Sequence, residues 1–125
     1  MAGIVAGVEI RVYSTRHDLL AGIPMHVVAF SASIEKIDPN RGVGAFYDWN
    51  REVIHIQEGD TMALVHEFKH YVDVPWVHGF TSSPEDQGWR QSGLDKIFIL
   101  RDKEFAIRDS ETIEAVVMRL KEFFN

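Results

Sequence analysis

TMALVHEFKHYVD, residues Thr61–Asp73, organises the reading of the whole chain. It contains His66, Glu67 and His70 in the pattern H-E-x-x-H. On a helix, residues four apart lie one turn apart on the same face, so His66 and His70 can aim their imidazoles at one metal ion. Glu67, next to His66, can reach a water on that ion. Two neutral imidazoles, an open coordination position and a carboxylate base are what water activation by zinc needs. The flanks support a helix. Gly59-Asp60 is a turn, with Asp60 as the N-cap. Met62, Leu64, Val65, Phe68, Tyr71 and Val72 make a broad apolar face. Pro75 disfavours helix at Val74, which predicts a stop near Asp73. The bland reading of the same stretch is a surface helix carrying two solvated histidines.

Working outward, Val43–Tyr47 and Glu52–Gln57 read as strands joined by a hairpin over Asp48-Trp49-Asn50-Arg51. The order G-x-[FY]-Y-D, I-x-I, L-x-H-E-F-x-H-Y-x-D across Gly42–Asp73 resembles the zincin metallopeptidases. Among them it is similar to small or toxin-derived ones such as minigluzincins and lethal-factor-like domains. The resemblance covers about a quarter of the chain. It implies a zinc-dependent peptidase acting on a peptide or protein substrate, with His66 and His70 as ligands and Glu67 as general base. It also implies that the Val53–Gln57 strand holds an extended substrate by strand addition.

A catalytic zinc usually takes three protein ligands and a water. His78, just past the Pro75 break and before Gly79, is the residue expected to complete the set, since a chain doubling back there brings its imidazole under the metal. SprT-type proteases place a third histidine in such a His-Gly pair, but their zinc ribbon is impossible here without cysteine. The metzincin pattern is not met, because Trp76 stands where its third histidine would fall. Glu111 and Glu114, early on the last helix, are the competing candidates, matching the way gluzincins supply a ligand from a downstream helix. Asp73, three residues after His70, suits an orienting role toward a ligating imidazole. Trp76 could wall a substrate cleft or serve as core or lid. Lys69 has no ligand role; its stem can lie along apolar surface with the amine in water.

The chain of 125 residues fits one domain, 1–125, and its 46% hydrophobic content is enough for a core of its own. A net charge of −6, with no basic run, argues against nucleic acid as the main partner. There is no cysteine, which excludes disulfides and thiol catalysis. The start, MAGIVAGVEI, lacks a basic region and meets Glu9 too soon for a signal peptide. No apolar run reaches the roughly 20 residues of a membrane span. The expectation is a soluble, cytoplasmic protein without membrane attachment.

The remaining elements follow from periodicity and punctuation. Val8–Ser14 alternates as a half-buried strand. Ser14–Ala21 is at most a short helix capped by Ser14 or Thr15. Met25–Ile37 is β-rich, and Asp38-Pro39-Asn40-Arg41-Gly42 is a turn. Glu85–Gly93 can hold a short helix. Lys96–Arg101 and Glu104–Arg108 form a second hairpin around Asp102-Lys103. In Ser110–Phe124, Ile113, Val116, Val117, Leu120 and Phe124 recur at helical spacing. His55 alternates with Ile54 and Ile56 and so points away from the core; His17 and His26 have no partner at ligand spacing. Trp49, Trp76 and Trp89 fall in loops or turns. The fold class expected is α+β and zincin-like: a mostly antiparallel sheet, the H-E-x-x-H helix and a C-terminal helix. Two functions stay open, a zinc metalloendopeptidase and a zincin-fold protein that keeps its metal without cutting, of a regulatory or phage-accessory kind. Small size motivates the second, since a domain of this length has little room for a long cleft.

Overall fold

The computed structural model describes residues 3–23, 45–74, 76 and 83–124. The expected β-rich segment Met25–Ile37, the turn at 38–42, His26, Pro75, His78 and Gly79 lie outside the described residues. Within them the chain is α+β. Its elements run β1 (Gly3–Val5), β2 (Val8–Tyr13), α1 (Arg16–Gly22), β3 (Ala45–Asp48), β4 (Val53–Gln57) and α2 (Thr61–Val72). They continue with α3 (Pro84–Gln87), β5 (Trp89–Ser92), β6 (Asp95–Leu100), β7 (Lys103–Ile107) and α4 (Ile113–Phe123). Among the described residues no helix is long and apolar enough to cross a membrane.

The strands form two sheets, ordered β1-β2-β4-β3 and β5-β6-β7. Every pairing is antiparallel except β2 with β4, which is parallel, with Ile10 opposite Ile54. A parallel pair needs a long crossover, and α1 lies within it. Each hairpin has a local cause. Ala6 and Gly7 both take positive φ, as do Arg101 and Asp102, so both connections are two-residue turns whose twist matches the strands. The second turn therefore sits one residue earlier than Asp102-Lys103. Between β3 and β4, Asp48 Oδ1 accepts from the N–H groups of Asn50 and Arg51 at 3.1 and 3.3 Å, which folds the loop back.

β4 is an interior strand, with β2 on one side and β3 on the other. This corrects the expectation that Val53–Gln57 receives a substrate strand, because its backbone donors and acceptors are already used. Among the described residues the edges of this sheet are β1 and β3, and β3 is the one beside β4.

α2 begins where the capping chemistry places it. Asp60 accepts from the Ala63 N–H at 3.0 Å, and Asp73 caps the far end with its N–H on Lys69 O at 2.9 Å. Its apolar face supplies Leu64, Val65 and Phe68, all fully buried with Ile10, Ile54, Ile56, Phe98, Leu100 and the α4 residues Val116, Val117 and Leu120. Burial of each such side chain stabilises by about 1.5–3 kcal/mol. α2 is thus wedged between the two sheets, with α4 against it.

The opposite face of the first sheet packs on α1 through Leu19, Ile23 and Phe46. His55 does leave the main core, as its alternation requires, yet it is only 2% exposed. Its Nδ1 meets the Tyr13 hydroxyl at 2.8 Å, and the two rings stack. Burial, and next the Arg11 guanidinium, push the His55 imidazole below its ordinary value of 6.5; Arg51 adds to this, while Asp48 and Glu9 oppose it. Between that depressed value and 6.5 the unfolded chain binds the extra proton, so stability is full above pH 6.5 and falls as pH drops through the window. His55→Gln should flatten this fall. Urea denaturation of both proteins at pH 7.5 and pH 5.5 checks it, and an equal loss in both would exclude the buried imidazole as the cause.

Candidate metal centre

His66 and His70 stand on successive turns of α2 with ring centroids 4.9 Å apart and planes at 83°. Two imidazoles held by one tetrahedral ion at about 2.0–2.1 Å per bond place their centroids roughly 5 Å apart, so the spacing suits a shared ion. His66 Nδ1 lies 3.2 Å from the carbonyl oxygen of Gln87. A carbonyl only accepts, so Nδ1 carries the proton and Nε2 is the accepting nitrogen of the ring. This is the arrangement ligating histidines use, with the second ring nitrogen donating to a carbonyl or carboxylate. His70 Nε2 is shut off from solvent.

The carbonyl is delivered by α3. Ser83 caps this single turn, Pro84 occupies its first position and Gly88 ends it in the left-handed region at φ 86°. A Cβ at Gly88 would stand 2.7 Å from the Trp76 ring, so the glycine also makes room for the indole. Trp76 lies against both imidazoles, with centroids 5.7 Å from His66 and 4.7 Å from His70.

Glu67, next to His66 and one turn before Tyr71 on α2, is only 7% exposed. Tyr47 on β3 has its ring edge-on to Tyr71 at 5.9 Å. Tyr71, one turn beyond Glu67, anchors its hydroxyl on Ala6 O at 2.6 Å. Burial first, then Tyr71, Glu52, Asp48 and Glu67, push the Tyr47 phenol up to about 12, so it remains a neutral donor.

Two expected roles are corrected. Asp73 does not orient an imidazole. Its Oδ2 accepts from Lys69 Nζ at 2.9 Å, and its Oδ1 from the Arg101 N–H at 3.0 Å. Nor does the Lys69 amine reach water. The residue is 7% exposed, and Nζ also donates to Ile99 O at 2.5 Å and lies 4.9 Å from the Trp76 ring centre. Both follow from the second sheet packing over the end of α2, which removes the solvent a lysine there would otherwise find.

The glutamate candidates are placed elsewhere. Glu111 holds Arg119 Nη1 with both oxygens at 2.8 Å and accepts the Arg108 N–H at 3.0 Å. Glu114 is exposed in the first turn of α4. Among the described residues no group of three His, Cys, Asp or Glu side chains is placed to hold a metal ion. The donors that the described residues bring together are thus the two imidazoles of His66 and His70. Of the other aromatic residues, Trp89 opens β5 and packs on the core rather than sitting in a loop, while Trp49 is exposed in the β3–β4 turn. Sequence reasoning missed the Gln87 carbonyl; the Ser83-Pro84 start and the Gly88 stop were legible signals for the turn that presents it.

Compared with family models, curated proteins and solved structures, the chain matches none.

Proposed function

We propose that this protein is a zinc-dependent metallopeptidase of zincin type, with His66 and His70 as metal ligands and Glu67 as general base. The observation that carries the reading is the His66–His70 pair with the His66 tautomer set by the Gln87 carbonyl. When bound, zinc supplies an acidified water and polarises a substrate carbonyl. With the metal bound, Glu67, beside His66 on α2, would take up the proton released by the attacking water and return it to the leaving amine. An extended substrate pairs with β3, an edge strand among the described residues, rather than with β4. His78 is the third ligand in this reading, since Glu111 is committed to Arg119 and Glu114 stands in solvent.

A second reading keeps the metal without hydrolysis. It is favoured by the enclosure of the pair, with Trp76 on both rings and His70 Nε2 shut off from solvent. Cleavage of unstructured peptides that disappears with a chelator separates the two.

The test of the metal reading is zinc content of protein purified without an affinity tag, followed by zinc titration of variants. One equivalent is expected. His66→Ala, His70→Ala and His78→Ala should each weaken binding by about 100-fold or more, whereas Glu111→Ala and Glu114→Ala should leave it nearly intact. A chain that takes up no zinc ends the proposal. Strong loss in a glutamate variant with none in His78→Ala would make this a gluzincin-type site instead.

A further inference from the structure

We propose that Trp76 is a positioning residue for the His66–His70 pair, the indole fixing both ring planes so that their nitrogens converge before any ion arrives. The inference rests on the metal reading above only for what the pair holds, not for the ring order itself. Side chains on an exposed helix face turn freely about χ2, and an imidazole that must be ordered on binding loses affinity for it. Here a single aromatic body restrains both rings at once.

The indole is in turn held from three directions. Its backbone N–H donates to Asp73 O at 2.6 Å, which sets where the side chain leaves the end of α2. Gly88 backs the ring so closely that no side chain fits between them. The Lys69 ammonium lies over the ring at 4.9 Å and is itself fixed by Asp73 and Ile99 O. A cation over an indole face is attracted to it, most strongly where water is excluded. Lys69 is thus one step removed from the pair: it holds Trp76, which holds the histidines. The Gln87 carbonyl then sets the protonation of the His66 ring whose plane Trp76 restrains. Partners of this kind are worth about ten- to a hundredfold in metal affinity.

The test reads the rings before it reads the metal. Long-range nitrogen–proton correlation spectra of the metal-free full chain should show His66 as one tautomer with its proton on Nδ1. Trp76→Leu, which keeps apolar bulk but no ring, should give averaged imidazole signals and weaken zinc binding by about tenfold or more. Trp76→Phe should retain a fixed tautomer and most of the affinity. Thermal melts identify any variant that fails to fold, in which case Phe against Leu at position 76 decides. If Trp76→Leu keeps both the fixed tautomer and the wild-type affinity, the proposal is overturned. If the wild-type chain takes no zinc while Trp76→Leu still disorders the rings, positioning stands and the metal reading falls.

Discussion

Glu67→Gln should lower peptide hydrolysis by about 10²–10⁴-fold while zinc uptake stays at the wild-type level. The substitution keeps the size of the side chain and removes its ability to take a proton. His66 and His70 are left unaltered, and the helix around position 67 keeps its contacts because an amide fills the same space. Burial sharpens the expectation, since Glu67 is only 7% exposed and bulk water is a poor substitute for it at that position. Hydrolysis of unstructured peptides, followed with and without chelator beside a zinc titration, gives both numbers. A Glu67→Gln protein that cuts as well as wild type removes Glu67 as the base. One that loses zinc in parallel would show the residue to be structural for the site.

What was legible in the sequence was local. α2 carried its own start at Asp60, its apolar face and its stop, so its range and the juxtaposition of His66 with His70 could be read within thirteen residues. α4 and the β3–β4 and β6–β7 hairpins were similarly self-contained. The elements missed were those with little local pattern. β1 has three residues behind an Ala6-Gly7 turn, and β5, Trp-Arg-Gln-Ser, shows no apolar alternation because most of it faces solvent. The site's surroundings were hidden for a different reason. The Gln87 carbonyl meets His66 across 21 residues, and Ile99 O meets Lys69 across 30. Such contacts are made by the packing of α3 and of the second sheet on α2, and local pattern can mark the turn at Pro84–Gln87 without telling which side chain its carbonyl meets. For the same reason the sequence alone leaves the Lys69 amine in water and gives Asp73 an imidazole to orient, whereas the fold joins the two side chains to each other.

The enclosure of this pair gives Lys69→Met an expected cost to stability of about 2–3 kcal/mol after discounting for the partial exposure of Asp73. Methionine can follow the course of the lysine stem, so the packing loss is small. What disappears is the ammonium that joins the end of α2 to β6, through Asp73 Oδ2 on one side and Ile99 O on the other. Two acceptors then remain without their donor in a region that water reaches poorly, and the desolvation of each is no longer offset. Removing the partner as well should be cheaper than the sum of the parts. In Lys69→Met with Asp73→Leu no orphaned carboxylate remains, although the Arg101 N–H loses its acceptor. The double variant should therefore recover at least ~1 kcal/mol relative to additivity, as coupled neighbours do. Urea denaturation of the four proteins of this cycle measures the coupling. Strict additivity, with Lys69→Met costing under ~0.5 kcal/mol, would mean that the pair behaves as an ordinary surface ion pair and that the second sheet does not enclose it in solution.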